Sequence, residues 1–106
     1  MQNNTVINSI LEVSKSVNDN RTQYAVLAKA GEEYGELSQE VMIRNGDHYK
    51  QPGKDGIIGE AIDLIICCTD LIYSENPNIT EDEIVEIAKL KLAKWKSKSS
   101  IVSDAK

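Results

Sequence analysis

Apolar residues recur along this chain at spacings of three and four, in four separate stretches. Val6, Ile10, Val13 and Val17 form the first row, which predicts a helix from about Asn4 to Val17. The polar segment NDNRT breaks it. Leu27, Ala30, Tyr34, Leu37 and Val41 share a stripe of a longer helix, predicted from about Thr22 to Arg44. NGDHYKQPGKDG follows, dense in Gly, Pro, Asn and Asp, and reads as a loop. GIIGEAIDLIICCTDLIYS predicts a third helix from Asp55 or Gly56 to Ser74, stopped at ENPN, where Pro77 marks the break. A fourth opens at Thr80. In TEDE the Thr80 hydroxyl can accept from the Glu83 amide while Glu83 reaches back, a capping box. Ile84, Ile87, Ala88, Leu92 and Trp95 carry that helix to about Lys96. No stretch reads as a credible strand, so the fold class is all-α, most simply a four-helix bundle. Residues 1–96 are expected to form one domain and residues 97–106 a flexible tail.

The third helix poses a chemical problem. It is apolar nearly all round, as befits a central helix. Yet Glu60, Asp63, Cys67, Asp70 and Ser74 follow steps of three and four and share one stripe. An ionised carboxylate without a partner in an apolar interior costs several kcal/mol. Such groups are therefore paired, protonated or bound to a metal. This helix contains no lysine or arginine. The second helix brings more acids, in AGEEYGELSQEV: Glu32, Glu33, Glu36 and Glu40. Glu33–Glu36 and Glu60–Asp63 have the same i, i+3 spacing on two helices joined by a short loop, which favours antiparallel neighbours. Packed together, the two pairs would place four carboxylates at one point. An all-oxygen set of that kind suits Mg²⁺, with Mn²⁺ as the alternative. Gly31 and Gly35 beside them suggest close approach by a backbone or a ligand, or a tight helix crossing.

Composition narrows the partners. Twelve basic against seventeen acidic residues give a formal charge of −5, which argues against a nucleic-acid polymer. No apolar run approaches the roughly 18 residues that span a bilayer, so no membrane partner is expected. MQNNTVINSI lacks the basic start and long apolar stretch of a signal peptide. Adjacent Cys67 and Cys68 read as reduced core thiols, and together these features predict a cytoplasmic location. Lys54 precedes the third helix, and Lys91, Lys94, Lys96 and Lys98 cluster at the end of the fourth, where they also complement the helix dipole. Asp70 is expected to pair with one of those fourth-helix lysines, and Glu40 to lie at the edge of the acid site or on the surface.

The order E-E-x-x-E then E-x-x-D, here Glu32-Glu33-Tyr34-Gly35-Glu36 and Glu60-Ala61-Ile62-Asp63 with 23 residues between, resembles the MazG-like family of all-α nucleoside triphosphate pyrophosphohydrolases. The likeness runs from about Ala25 to Trp95 and is nearest the small stand-alone members, some carried by phages. The resemblance implies Mg²⁺-dependent hydrolysis of an NTP or dNTP to the monophosphate and pyrophosphate. It implies metal ligation by Glu33, Glu36, Glu60 and Asp63, with Glu32 orienting or deprotonating the attacking water. It implies phosphate contacts near Lys91 and Lys94, Lys54 being a further candidate, and a homodimer or homotetramer. The alternative is a non-catalytic helical module that binds metal or a partner protein.

Overall fold

A computed structural model describes residues 5–17 and 20–104 of the chain. Four helices account for almost all of them, and no strand occurs among the described residues: α1 (Val6–Ser16), α2 (Gln23–Arg44), α3 (Gly56–Glu75) and α4 (Glu81–Asp104). Local chemistry explains the boundaries. Thr5 caps α1 by accepting from the Asn8 amide at 3.1 Å, and Thr22 caps α2 by accepting from the Ala25 amide at 3.0 Å. Gly56 enters α3 with φ +61°, a left-handed conformation that glycine adopts without steric cost. Thr80 and Glu83 form the reciprocal pair that TEDE predicts: Glu83 N–H donates to Thr80 Oγ1 at 3.2 Å, and Thr80 N–H donates to Glu83 Oε1 at 3.0 Å. Asn4, the expected start of α1, lies outside the described residues, as do residues 105 and 106 of the expected tail. The α4 backbone continues to Asp104, past the Lys96 at which its apolar periodicity ends. No Gly or Pro interrupts that extension.

α3 is the axis of the chain. α2 packs along it and α1 lies on it as well. α2 runs antiparallel to α3, since Gln23 near its start bonds Ser74 and Glu75 at the end of α3, and α1 is joined to α3 by the bond from Ser14 to Asp70. α4 touches this three-helix body through its first turn. Its Glu81 carboxylate receives the Thr5 hydroxyl and, at 3.1 Å, the Asn8 amide at the start of α1. Beyond that turn α4 leaves the body. Val85, Ile87, Leu90, Leu92 and Trp95 are all exposed, Leu90 by 75% and Trp95 by 69%. The architecture is thus four helices, of which three pack together within one chain.

The face that α2 turns to α3 also departs from the expected stripe. Val26, Ala30, Glu33 and Glu40 are buried, whereas Leu27, Tyr34 and Val41 stand open. On α3, Ile58, Ile62 and Ile65 are open too. Between α2 and α3 the chain thus buries Glu33 and Glu40 while these isoleucines stay exposed, the reverse of the usual arrangement.

Asp70 is held differently from expectation. Its partner is Arg21, from the break between α1 and α2, and not a lysine of α4. Arg21 Nη2 donates to Oδ1 at 2.6 Å and Nε to Oδ2 at 3.0 Å, while Ser14 Oγ adds a bond of 2.8 Å. The physical reason is reach: α4 has left the body before its lysines begin. Burial alone would raise the Asp70 carboxyl, but the bonds from Arg21 and Ser14 outweigh it and hold the group below its ordinary value. Asp70→Asn should cost about 2 kcal/mol of stability, the worth of a partly buried charge-assisted pair, read from urea denaturation.

Candidate metal centre

The antiparallel packing of α2 on α3 sets Glu33 and Glu36 beside Glu60 and Asp63. Carboxylate oxygens of Glu33, Glu60 and Asp63 lie within 4.8 Å of one another, and so do those of Glu32, Glu33 and Glu36. Glu33 belongs to both groups and links the two helices. It is 6% exposed, Glu60 and Asp63 are half-buried, and Glu32 and Glu36 stand at the solvent edge. The cluster thus has a closed floor and an open rim.

Two oxygens in that floor are without hydrogen bonds among the described residues. Glu33 Oε2 and Glu60 Oε1 are both buried and unpartnered. A buried acceptor left unsatisfied costs about 1–3 kcal/mol, more when charged. The Glu60 carboxyl responds by holding its proton. Desolvation pushes it up to about 7 from an ordinary 4.5, and the charges of Glu36, Asp63 and Glu33, with a hydrogen bond shared with Glu36, add to the rise. Oxygen donors crowded to mutual repulsion, with two of them unsatisfied, are what a small hard cation relieves. The donor set could chelate a divalent cation.

One cation already lies on the cluster, and sequence reasoning missed it. Lys29 Nζ is 3.2 Å from Glu32 Oε1 and 3.4 Å from Glu33 Oε1. Its hydrogen bonds to both carboxylates raise its pKa above the ordinary 10.5. The signal was local: Lys29 stands three and four residues before the two acids, a spacing that places it on their face. Lys54, Lys91 and Lys94 are exposed and make no ion pair to these acids among the described residues. For Lys91 and Lys94 the cause is again the departure of α4 from the body.

Glu40, one turn beyond Glu36, is buried and belongs to the loop instead. Both its carboxylate oxygens receive the Gly53 amide, at 2.9 and 3.2 Å. A Cβ on residue 53 would meet Oε2 at 2.7 Å, so the end of the Glu40 side chain would have to shift to admit one. The bond ties the segment between α2 and α3 back onto α2 and so holds the entry into the acid-bearing helix. Gly31 and Gly35 play no such part within the chain. Nothing lies within 4 Å of a Cβ built at either, and the close approach expected there is absent because α2 meets α3 through Val26, Ala30 and Glu33. His48 stacks on Tyr49 in the loop, at 4.9 Å between ring centroids. Cys67 is half-buried and its thiol is pushed up, by burial first and then by the Glu33 charge. An apolar groove of about 460 Å³ runs between α2 and α3, lined by Tyr24, Leu27, Cys68, Leu71, Ile72 and Ile79 among others, and no acid of the cluster lines it.

Compared with family models, with curated proteins and with solved structures, the chain matches none. No helix among the described residues is long and apolar enough to cross a membrane. What stands is a four-helix protein whose acidic side chains are gathered so that they can coordinate a metal ion.

Proposed function

We propose that this protein is a helical metal-binding module that holds Mg²⁺ or Mn²⁺ between α2 and α3 on Glu33, Glu36, Glu60 and Asp63. The observation that carries the reading is the pair of buried, unpartnered oxygens of Glu33 and Glu60 inside a knot of carboxylates. Replacing such a knot with apolar residues would usually make a bundle no less stable. A purely structural helix pair has no use for it.

A narrower reading goes further: the centre serves a pyrophosphohydrolase that converts an NTP or dNTP to its monophosphate and pyrophosphate. Its support is the MazG-like order of Glu32-Glu33-x-x-Glu36 and Glu60-x-x-Asp63, together with the position of Glu32. That residue stands exposed at the rim with an oxygen among those of Glu33 and Glu36, where a water could reach it. Glu33, Glu36, Glu60 and Asp63 would hold the divalent ion, which would supply charge neutralisation for the phosphates and acidify a water. Glu32 would orient that water or take its proton. The test is pyrophosphate release from a panel of NTPs and dNTPs with Mg²⁺, Mn²⁺ or EDTA, on wild type beside Glu33→Gln. Metal-dependent release lost in the variant supports the hydrolase. Metal binding without release from any nucleotide sinks the hydrolase and keeps the module.

The same reading includes a second copy of the chain. The chain has an accessible surface of 8434 Å², where a compact monomer of 11.8 kDa exposes about 5,900 Å². The radius of gyration is 16.9 Å, against about 13 Å for a compact chain of this length. The excess surface is of the size that obligate homodimers bury. The open apolar side chains of α3 and α4 are its natural content. Sedimentation equilibrium should show a dimer or tetramer at micromolar concentration, and Leu90→Glu with Trp95→Glu should shift it toward monomer. A monodisperse wild-type monomer would refute the assembly.

A further inference from the structure

The apolar row of α4 has a frame of positive charge around it. Val85, Ala88, Leu92 and Trp95 follow steps of three, four and three, the spacing of a seam that packs against another helix. Val85, Leu92 and Trp95 lie open to solvent. The positions that border such a seam are held by Lys89, Lys91, Lys96 and Lys98, all of them exposed. Residues 87–98 carry five lysines and no acid. Within the chain Lys89 has an ion pair, to Glu86 of the same helix.

That frame decides what α4 can pack against. Two α4 helices set seam to seam would bring lysine against lysine along both borders, in either orientation. The seam therefore disfavours a second α4 and calls for an apolar strip in an acidic surface. The remainder of the chain is such a surface. Residues 1–80 carry twelve acids against six bases. The groove of about 460 Å³ between α2 and α3 has Tyr24, Leu27, Cys68, Leu71 and Ile72 in its walls, with Glu75 among them. Leu27 is 55% exposed. Gly31, one turn further along α2, leaves open space where another helix can come close. The same acids repel anionic lipid, the other surface that a lysine-bordered apolar helix suits.

A chain's own α4 leaves its body after the first turn, held there by the bonds from Thr5 and Asn8 to Glu81. The α4 of a second copy has no such constraint. We propose that α4 of each chain seats Leu92 and Trp95 in the α2–α3 groove of a second copy, in a reciprocal exchange, and does not pair with the other α4. This rests on the assembly stated above and names the two surfaces that meet in it. Two equivalent contacts close the dimer about a two-fold axis. They cover the groove and α4 together, and the excess of about 2,500 Å² over a compact monomer has room for both.

The test follows the dimer dissociation constant by sedimentation equilibrium as NaCl rises from about 0.05 M to about 0.5 M. Opposite charges in contact are screened, so association should weaken about tenfold. Facing lysines would give the reverse. Leu27→Lys sets a like charge in the groove at a side chain already open in the chain, and should weaken association at least about tenfold. An α4–α4 pair would not respond to it. On the wild type, carbodiimide joins contacting lysines and carboxylates in a mixture of ¹⁵N-labelled and unlabelled chains. Mass spectrometry should find an α4 lysine of one chain joined to Glu75 of the other. A dimer that tightens with salt, that ignores Leu27→Lys, or whose α4 lysines join no carboxylate of the other chain's α2 or α3 would overturn the exchange. A monomer taken up by phosphatidylserine vesicles would assign α4 to a lipid surface and overturn it too. A wild-type monomer without such uptake would remove the assembly itself, an outcome distinct from a dimer built another way.

Discussion

Glu33→Gln should make the metal-free protein more stable while abolishing its response to divalent cations. Two effects of one carboxylate account for the opposed signs. Glu33 is buried, has one oxygen without a partner, and faces the charges of Glu60 and Asp63. Neutralising it relieves desolvation and repulsion together, a gain of about 1 kcal/mol after the loss of its Lys29 contact. The same change removes the donor common to both oxygen groups. Affinity for Mg²⁺ or Mn²⁺ should fall at least about 100-fold, beyond what outer-shell substitutions cause. Thermal melts in EDTA and in excess Mn²⁺ check both halves. Wild type should gain stability from the ion and the variant should not. A variant less stable than wild type in EDTA would mean that Glu33 is already well satisfied by the fold.

The second large effect is a reversal of pH dependence by metal. The Glu60 carboxyl titrates near 7 in the folded metal-free protein and near 4.5 when unfolded. Between those values the folded state holds more protons than the unfolded state. Stability in EDTA should therefore fall as pH rises from about 4.5 to about 7. Asp70 acts in the opposite sense at the acid end: its folded value lies below 3.8, so its contribution is lost as pH falls through that region. Metal-free stability should thus peak in mildly acidic solution. With a divalent ion the slope in the upper window changes sign, because ligation requires the ionised carboxylate. Metal affinity should climb about tenfold for each pH unit below 7, with release of one proton. Glu60→Gln should flatten the EDTA profile in that window. Melts from pH 4.5 to 8, with and without Mn²⁺, would reveal it, and a rising profile in EDTA would contradict the assignment.

Much of this molecule is written in local patterns. Thr80 and Glu83 announce the start of α4, and the Gly/Pro-rich run from Asn45 to Gly56 announces the break between α2 and α3. The acids of α3 were legible because isoleucine surrounds them. What pattern could not supply was orientation. Of the expected stripe of Leu27, Ala30, Tyr34, Leu37 and Val41, the chain buries Ala30 and half-buries Leu37 but leaves Leu27, Tyr34 and Val41 open, and it buries Val26 and Glu33 beside them. Periodicity locates an apolar face and is silent on whether its own chain or another covers it. The Arg21–Asp70 pair escaped for a different reason: Arg21 lies in an irregular break, where no helical spacing relates it to α3. Lys29 is legible from local spacing, at three and four residues before Glu32 and Glu33, whereas the lysines at the end of α4 lie far along the chain from those acids.

The open isoleucines and the free-standing α4 have a consequence for the life of the chain. No side chain is fully enclosed by the described fold: even the best-buried apolar residues, Val26 and Ala30, retain 5% and 7% of their exposure. If the proposed assembly covers this surface, folding is completed only when chains meet, and its equilibrium contains the chain concentration. The midpoint of unfolding should climb with protein concentration. A newly made chain at low abundance would expose the surface that proteases and chaperones recognise, and would be cleared before it accumulated. Abundance and foldedness would therefore rise together, so that a weakly expressed copy of this sequence loses more than its proportion of folded protein.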